Sequence, residues 1–418
     1  MNSISLALIM AAGAVFSASA GQFRKDINPA LQYYQAFLMA PNLSPADRDY
    51  LYMNAGPGQK LPERCGQLVA EYNAELRLVR QAARAAVPCD WGIDMTLGPA
   101  ALLPHLSRAK AAVQAAMLRV AWDLQNGRTT EAREDLLAAL ALGRNVSRDG
   151  MLISALVEIA MESIVCVTVA ENFGQFPPET LKHLAEGFDA APARGTMAAC
   201  ITTENFCFQD SMMSKILELQ QANPGKDDRV MAEIHELFLG EEGPEPGQTN
   251  IWERVVKAAG GTSDGIVKLL HDEGTLYQRL AVIMALPRAE FEGQMKQFNA
   301  EIQHSTNPFV SLAFPAVENA RRKEFLIQVQ LAMVRAAVEY KLQGEQGLKR
   351  VMDPCGEGPF AFRRFVFEGV DRGFELKSTF TYPGRGYPEV LIFLEKEGPP
   401  VFVNGQKAGQ AWRKSTPN

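Results

Sequence analysis

The sequence contains fewer basic than acidic residues, and this argues against nucleic acid as a partner. Lysine and arginine number 42 against 48 acidic residues, which gives a formal net charge of −6. Nucleic-acid binding depends on a basic surface that neutralises phosphates. The longest basic run, Arg321 to Lys323, falls on a predicted helix and is typical of a solvated helix face. We therefore expect no nucleic-acid partner.

The sequence also lacks the local signatures of common catalytic and metal sites. It has no His-Glu-x-x-His zinc motif, no Gly-x-Ser-x-Gly nucleophile elbow and no Cys-x-x-Cys pair. A di-iron helical bundle needs two Glu-x-x-His pairs, and this chain offers only Glu301 with His304. The segment 260–265 follows a predicted helix and lacks the Lys-Ser/Thr ending of a phosphate loop, so it predicts a helix break. We expect no metal ion and no cofactor.

Cysteines are too sparse for a disulfide scaffold. Six occur, and two pairs of neighbours are separated too widely along helices to join. Cys65 and Cys89 bracket a predicted helix over 68–87, whose ends would lie ~30 Å apart. Cys200 and Cys207 would lie ~10 Å apart on one helix face, beyond disulfide reach. We expect buried thiols, with one bridge at most.

Long apolar runs are rare, and one of them stands at the N-terminus. Residues 4–16 form a thirteen-residue apolar run, and Ala18-Ser19-Ala20 forms a small-x-small cleavage site before Gly21. The run is shorter than the ~20 residues that span a bilayer. No lysine or arginine precedes it, which leaves a buried N-terminal helix as the alternative. We expect residues 1–20 to be a signal peptide and the protein to be exported to the periplasm or the extracellular space.

Apolar residues recur at helical spacing through most of the chain. One stripe runs at spacings of three and four through Leu106, Ala109, Val113, Ala116, Val120 and Leu124. Asn126-Gly127 and Asp149-Gly150 interrupt the pattern and predict antiparallel hairpins over 104–171. This resembles tetratricopeptide and related helical repeats, although their thirty-four-residue period is absent. We expect a mainly α fold over 21–305, built of stacked antiparallel helical hairpins and helical-repeat-like.

Strand-like segments appear only in the last third of the chain. A predicted helix of about 27 residues ends near Leu342, and four short segments follow between glycine and proline turns. They cover 360–367, 373–380, 390–395 and 401–403. Because this tail is too short for a large core of its own, we expect 306–418 to form a long helix with a small antiparallel β-sheet packed on it.

The most notable polar residues are Glu158 and Glu162, one helical turn apart in an apolar segment over 151–172. Two carboxylates near the centre of a membrane span would each cost ~2.5–3.5 kcal/mol, so the sequence predicts a buried helix and no span after signal cleavage. The pair is compatible with acid/base catalysis or with half of a metal site. It is equally compatible with ion pairs to arginines, and we expect the ion pairs. The candidate partners are Arg108, Arg119, Arg144 and Arg148.

His105 is a third candidate, because it directly follows Pro104 at a predicted helix start. A histidine facing the two glutamates would suggest a general base or a ligand. A histidine in a first helical turn more commonly caps the helix or packs against a neighbour, and we expect one of these two roles here. We assign no catalytic residue; Glu158, Glu162 and His105 remain the weak candidates.

Two regions carry resemblances. The segments 89–92 (CDWG), 98–106 (GPAALLPHL) and 152–157 (LISALV), with Asn307-Pro308 and the helix after it, resemble a group of uncharacterised exported bacterial helical proteins. That resemblance implies no activity. The segments 346–348, 353–360 (DPCGEGPF) and 373–376 (GFEL) are similar to the tail of type II secretion pseudopilins, in which a long helix precedes a small sheet. The prepilin N-terminal pattern is missing, which argues against a pilin subunit.

These observations favour a non-catalytic protein. We expect an exported helical scaffold or protein- or peptide-binding protein of the bacterial envelope, because helical stacks offer a groove to partners. One alternative is an envelope hydrolase or metal-dependent enzyme that uses Glu158, Glu162 and His105. A second alternative is an accessory of a secretion or pilus-like machine.

Overall fold

A computed structural model describes most of the chain. It covers residues 26–51, 60–95, 97, 101–239, 249–313, 315–383, 386–396, 398, 402–403 and 406–407. This part is mainly helical and carries a small three-stranded antiparallel sheet. The expected mainly α class with a small C-terminal sheet is therefore confirmed. The predicted signal peptide, 1–20, lies outside the described residues.

Eight helices make up the first half of the described chain. They are α1 (Pro29–Leu38), α2 (Pro45–Tyr50), α3 (Glu63–Glu71), α4 (Asn73–Ala83), α5 (His105–Gln125), α6 (Thr129–Val146), α7 (Leu152–Glu171) and α8 (Pro178–Ala190). Ser44 starts α2 as predicted, because its side chain accepts a hydrogen bond from the Asp47 amide while Pro45 takes the first helical position. Gly127 and Gly150 have φ values of 73° and 75° and end the helices before them. The two predicted breaks are confirmed.

Nine further helices precede the sheet. They are α9 (Met197–Asn205), α10 (Ser211–Ala222), α11 (Asp227–Leu239), α12 (Thr249–Ala258), α13 (Ser263–Met284), α14 (Arg288–Ile302), α15 (Pro308–Ala313), α16 (Pro315–Gln343) and α17 (Glu345–Leu348). A π-helical turn over Phe206–Asp210 joins α9 to α10. The predicted break at 260–265 is confirmed, and the Thr262 side chain caps α13.

One predicted helix is wrong in its extent. The apolar spacing over 68–87 predicted a single helix, but the chain forms α3 and α4 with Tyr72 between them. Tyr72 has ψ near −1°, which ends one helix and begins the next. The apolar spacing continues across this residue, so periodicity alone does not reveal the break.

The main core is built around α5, α6 and α7, which pack against one another in sequence order. Their contacts are rich in small residues; Gly143 of α6, for example, would place a Cβ 3.4 Å from the Met161 Cβ of α7. Among the described residues, α7 is the one helix long and apolar enough to cross a membrane by length and composition. About two thirds of its most apolar window (67%) is buried inside the protein, a property that it shares with the core helices of globular proteins.

The sheet pairs strands β1 (Ala361–Phe367), β2 (Val370–Thr381) and β3 (Pro388–Leu394) in that order, all antiparallel. Phe374 and Phe393 from the sheet meet Phe173, which follows α7, at ring distances of 5.6 and 5.3 Å. Tyr340 of α16 lies 4.9 Å from the Phe374 ring. The sheet therefore packs on the long helix, as expected, and on the end of α7 as well. Strands β4 (Phe402–Val403) and β5 (Gln406–Lys407) form a separate pair.

A second, smaller apolar core lies among α10, α11, α12, α13 and α15. Its buried members include Ile216, Ile234, Leu270 and Phe309. All six cysteines are free thiols, five of them buried and Cys355 half-buried. The expectation of buried thiols is confirmed for those five.

Candidate functional site

Glu162 lies at the centre of a buried ion-pair network. Its side chain is fully enclosed, with 0% exposure. The Arg144 Nε of α6 donates to Oε1 at 3.0 Å, and the Arg194 Nε donates to Oε2 at 2.8 Å. Arg194 belongs to the segment between α8 and α9. Both carboxylate oxygens of Glu162 are therefore engaged by guanidinium groups from two different elements.

Glu158, one turn earlier on α7, is held differently. Its Oε2 accepts a hydrogen bond from the Gly195 amide at 3.1 Å, and its Oε1 lies 3.7 Å from the Arg194 Nε. Burial and then the negative charge of Glu162 raise the pKa of Glu158, while Arg194 opposes the rise. Glu158 thus favours its protonated form more than an exposed glutamate does.

Arg194 connects this pair to the long helix α16. Burial alone would lower the pKa of Arg194, but the charges of Glu162 and Glu158 outweigh it and raise that pKa. A further contribution comes from Glu324 of α16, which accepts from the Met197 amide and pairs with Arg321. The network therefore ties α6, α7, the segment after α8 and α16 together through charge-assisted hydrogen bonds.

The expectation that arginines pair with the two glutamates is confirmed. Arg144 was among the four predicted partners, whereas Arg194 was missed because it lies outside the predicted hairpins over 104–171, in a segment that only the fold brings back to α7. Arg119, another predicted partner, binds Asp135 instead. Arg144 also lines a recess of about 130 Å³ together with Leu184 and Phe188. Neither Glu158 nor Glu162 lines this recess.

His105 packs rather than faces the glutamates. Its ring is fully buried and stacks on Trp91, with ring centres 4.4 Å apart and planes at 17°. The carboxylate beside it belongs to Asp149, whose Oδ2 lies 3.6 Å from the His105 Nε2. The Trp91 Nε1 donates to the Asn145 carbonyl at 2.7 Å, which fixes the indole. Of the two roles expected for His105, capping or packing, the structure shows packing, and the hypothesis of a histidine facing Glu158 and Glu162 is wrong. Among the described residues, no three His, Cys, Asp or Glu side chains are grouped to hold a metal ion.

An open groove lined by arginines runs along α4. It has a volume of about 820 Å³. Its polar lining comes from α3, α4 and α5 and consists of Glu71, Asn73, Arg77, Arg80, Gln81, Arg84 and Arg119. Arg77 and Arg80 of α4 and Arg84, its C-cap residue, follow one another at spacings of three and four, which places them on one side of the helix.

A buried aspartate fixes two of these arginines. Asp135 of α6 is 1% exposed and accepts from the Arg119 Nε at 2.6 Å and the Arg80 Nε at 2.5 Å. Arg119 also donates to the Asn73 side chain at 3.2 Å. Because their hydrogen bonds are set within the fold, Arg80 and Arg119 hold their positions before any partner arrives.

A smaller recess of about 250 Å³ adjoins the groove and shares Arg80 and Arg84 with it. The added lining consists of one acidic residue, Glu134, and of small or apolar residues: Ala83, Leu137, Ala138, Ala141, Gly187, Ala190, Ala191 and Pro192. Gly187 lets α8 approach α6 closely, since a Cβ there would lie 2.5 Å from the Leu137 Cδ2. The larger recess is therefore lined largely by guanidinium groups, and the smaller one has a mainly apolar floor.

No family model, curated protein or solved structure matches the chain. The sequence carried one signal for the groove, the spacing of Arg77, Arg80 and Arg84 on a predicted helix. That spacing is also typical of a solvated helix face, so the groove was not predicted.

Proposed function

We propose that this protein is a non-catalytic binding protein of the bacterial envelope, and that the groove along α4, α6 and α8 holds an extended segment of a partner protein. The observation that carries the proposal is the surface formed by two adjoining recesses, lined by residues from Glu71 to Pro192, which share Arg80 and Arg84. It combines charged donors with an apolar floor, the mixture that recognition of an extended peptide requires. Export by the N-terminal apolar segment and the stacking of successive hairpins belong to the same proposal.

The state of the candidate catalytic residues supports binding over chemistry. A general acid or base must come within hydrogen-bond reach of a substrate. Glu158 and Glu162 are 1% and 0% exposed, and the partners of Glu162 are arginines of the fold itself. His105 is fully enclosed by its own packing. Among the described residues, no feature favours either alternative, the hydrolase or metal-dependent enzyme or the secretion accessory, over a binding protein.

Selection from a random peptide display library tests the proposal. Two matched variants, Ala190→Trp and Ala222→Trp, each add one indole to a helix end. Ala190 lines the groove, whereas Ala222 is an exposed residue at the end of α10. We expect peptides that bind the wild-type protein to bind Ala222→Trp equally well and Ala190→Trp at least about tenfold more weakly, because the indole fills the recess.

Two results would contradict the proposal. The first is a selection that enriches no peptide on folded protein. The second is a set of selected peptides whose affinity is the same for both tryptophan variants, since they would then bind elsewhere.

A further inference from the structure

We infer that the partner segment is acidic, and that its carboxylates are bound by Arg77 and Arg84 at the open end of the groove. This inference rests on the proposed function, because it names the chemistry of the segment that the groove would hold. Three observations carry it: the charge of the groove, the state of its arginines, and the spacing between the two outer ones.

The arginines of the groove are only partly neutralised by the fold. Four guanidinium groups line it, from Arg77, Arg80, Arg84 and Arg119. The carboxylates that bond to them are those of Asp135 and Glu134. Glu71 also lines the groove, but it already accepts from Arg64 at 2.9 Å. The arginines that line the groove therefore outnumber the carboxylates bonded to them.

The two outer arginines have donors to spare. Among the described residues, Arg77 makes no ion pair and is exposed. Arg84 is 67% exposed and gives one hydrogen bond to Glu134, a carboxylate that Arg133 also binds. A guanidinium carries five N–H donors in a planar fork that matches a carboxylate in two-point contact. Each of these two side chains can therefore bind a ligand carboxylate without breaking a bond of the fold.

The spacing fits an extended chain. Arg77 on α4 and Arg84 at its C-terminal cap are seven residues apart, which separates their Cα atoms by ~10 Å. An extended polyproline-type segment advances ~9 Å every three residues and returns to the same face. Acidic side chains three residues apart would thus meet both arginines. The small residues of the adjoining recess leave room for an apolar or proline-containing continuation.

The overall charge of the chain argues for a peptide carboxylate over a polyphosphate chain. The net charge is −6, so a long polyanion would be repelled outside this patch, whereas a short acidic segment is confined to it. The fixed positions of Arg80 and Arg119 on Asp135 keep the floor of the patch ordered before binding.

A pair of fluorescent peptides tests the inference on the full folded protein. One contains Glu-Pro-Pro-Glu followed by Pro-Leu, and the other replaces both glutamates with glutamine. We expect the wild-type protein to bind the glutamate peptide at least about tenfold more tightly at low salt, with the difference shrinking as salt rises. Arg77→Glu and the milder Arg77→Gln should each remove most of this preference.

Arg229→Glu is the matched control. Arg229 is an exposed arginine on α11 that pairs with Glu233, outside the groove. We expect this variant to keep the preference for the glutamate peptide. Circular dichroism establishes that each variant is folded before its affinity is measured.

The outcomes separate the inference from the proposed function. If wild type binds neither peptide or both equally, while library peptides still bind in an Ala190-dependent manner, the acidic chemistry is wrong and the binding function stands. A preference for the glutamate peptide that survives both Arg77 variants also overturns the inference. If no peptide of either kind binds, the inference and the proposed function fail together.

Discussion

The Arg194 guanidinium donates to the Glu162 carboxylate at 2.8 Å, across thirty-two residues of sequence. This contact attaches the segment between α8 and α9 to the middle of the apolar helix α7. Two buried ions paired in this way cost much desolvation, and they remain favourable only while both partners are present. The pair therefore fixes the position of that segment together with Glu158, which accepts a hydrogen bond from the Gly195 amide.

Removing the Glu162 carboxylate should destabilise the fold strongly. Glu162→Ala leaves Arg144 and Arg194 buried without their main counter-charge. Breaking a buried ion pair from one side costs ~3–5 kcal/mol, so we expect the free energy of unfolding to fall by that amount. Urea denaturation followed by circular dichroism measures it.

Glu179→Ala provides the control for that experiment. Glu179 forms an exposed i, i+4 pair with His183 on α8, and such pairs contribute ~0–1 kcal/mol. A Glu162 variant as stable as the Glu179 variant would contradict the structural role of Glu162. It would reopen the catalytic alternative.

Stability should depend on pH through Glu273. This glutamate of α13 is fully buried, and neither of its carboxyl oxygens has a hydrogen-bond partner among the described residues. Burial raises its pKa from 4.5 to about 7. The folded state then holds a proton that the unfolded state releases, so the contribution of Glu273 to stability falls as pH rises from about 4.5 to about 7.

Glu273→Gln should remove this part of the pH dependence. The difference in melting temperature, variant minus wild type, should increase between about pH 5 and about pH 8 because only the wild type must ionise a buried group. Glu218→Gln, at an exposed position on α10, should show no such increase. A constant difference for Glu273→Gln would show that its carboxyl is not buried in neutral form.

Gly174 should tolerate no side chain, because the backbone of Glu395, just after β3, packs against the short turn over Phe173–Gln175 that follows α7. A Cβ at Gly174 would overlap the Glu395 carbonyl oxygen, a backbone atom that cannot move aside alone. We expect Gly174→Ala to destabilise the protein by ~1–3 kcal/mol through overpacking. Chemical denaturation measures the change.

Gly293→Ala is the matched substitution. Gly293 lies inside α14, a methyl group added there would meet nothing within 4 Å, and alanine is the better helix former by ~1 kcal/mol. This variant should be slightly more stable than wild type. Equal behaviour of the two alanine variants would mean that the sheet does not press on Gly174.

Local pattern predicted much of the fold and less of the site. The stripe from Leu106 to Leu124 and the glycines at 127 and 150 specify α5, α6 and their ends, because each signal acts within a few residues. The sequence was sufficient to predict that Glu158 and Glu162 pair with arginines, because buried carboxylates need a partner. Arg194 was not predictable as the partner, because only the path of the chain after α8 brings it there.

The groove, too, could be predicted only in part from the sequence. Arg77, Arg80 and Arg84 are visible on one face of α4 from their spacing alone. Whether such a face is open or covered depends on α3, α5 and α6, and on Asp135, fifty-five residues after Arg80. The break at Tyr72, which separates α3 from α4, also left no mark in the apolar pattern.

Site-specific photo-crosslinking in cells of the source organism tests the central claim most directly. A photoreactive residue replaces Gln81, an exposed side chain of the groove, or Gln303, an exposed side chain at the end of α14. We predict a discrete protein adduct from position 81 that disappears with Ala190→Trp and with Arg77→Glu, and no such adduct from position 303. The absence of any adduct from position 81 in folded protein, or an adduct that persists in both variants, would contradict a binding function for the groove.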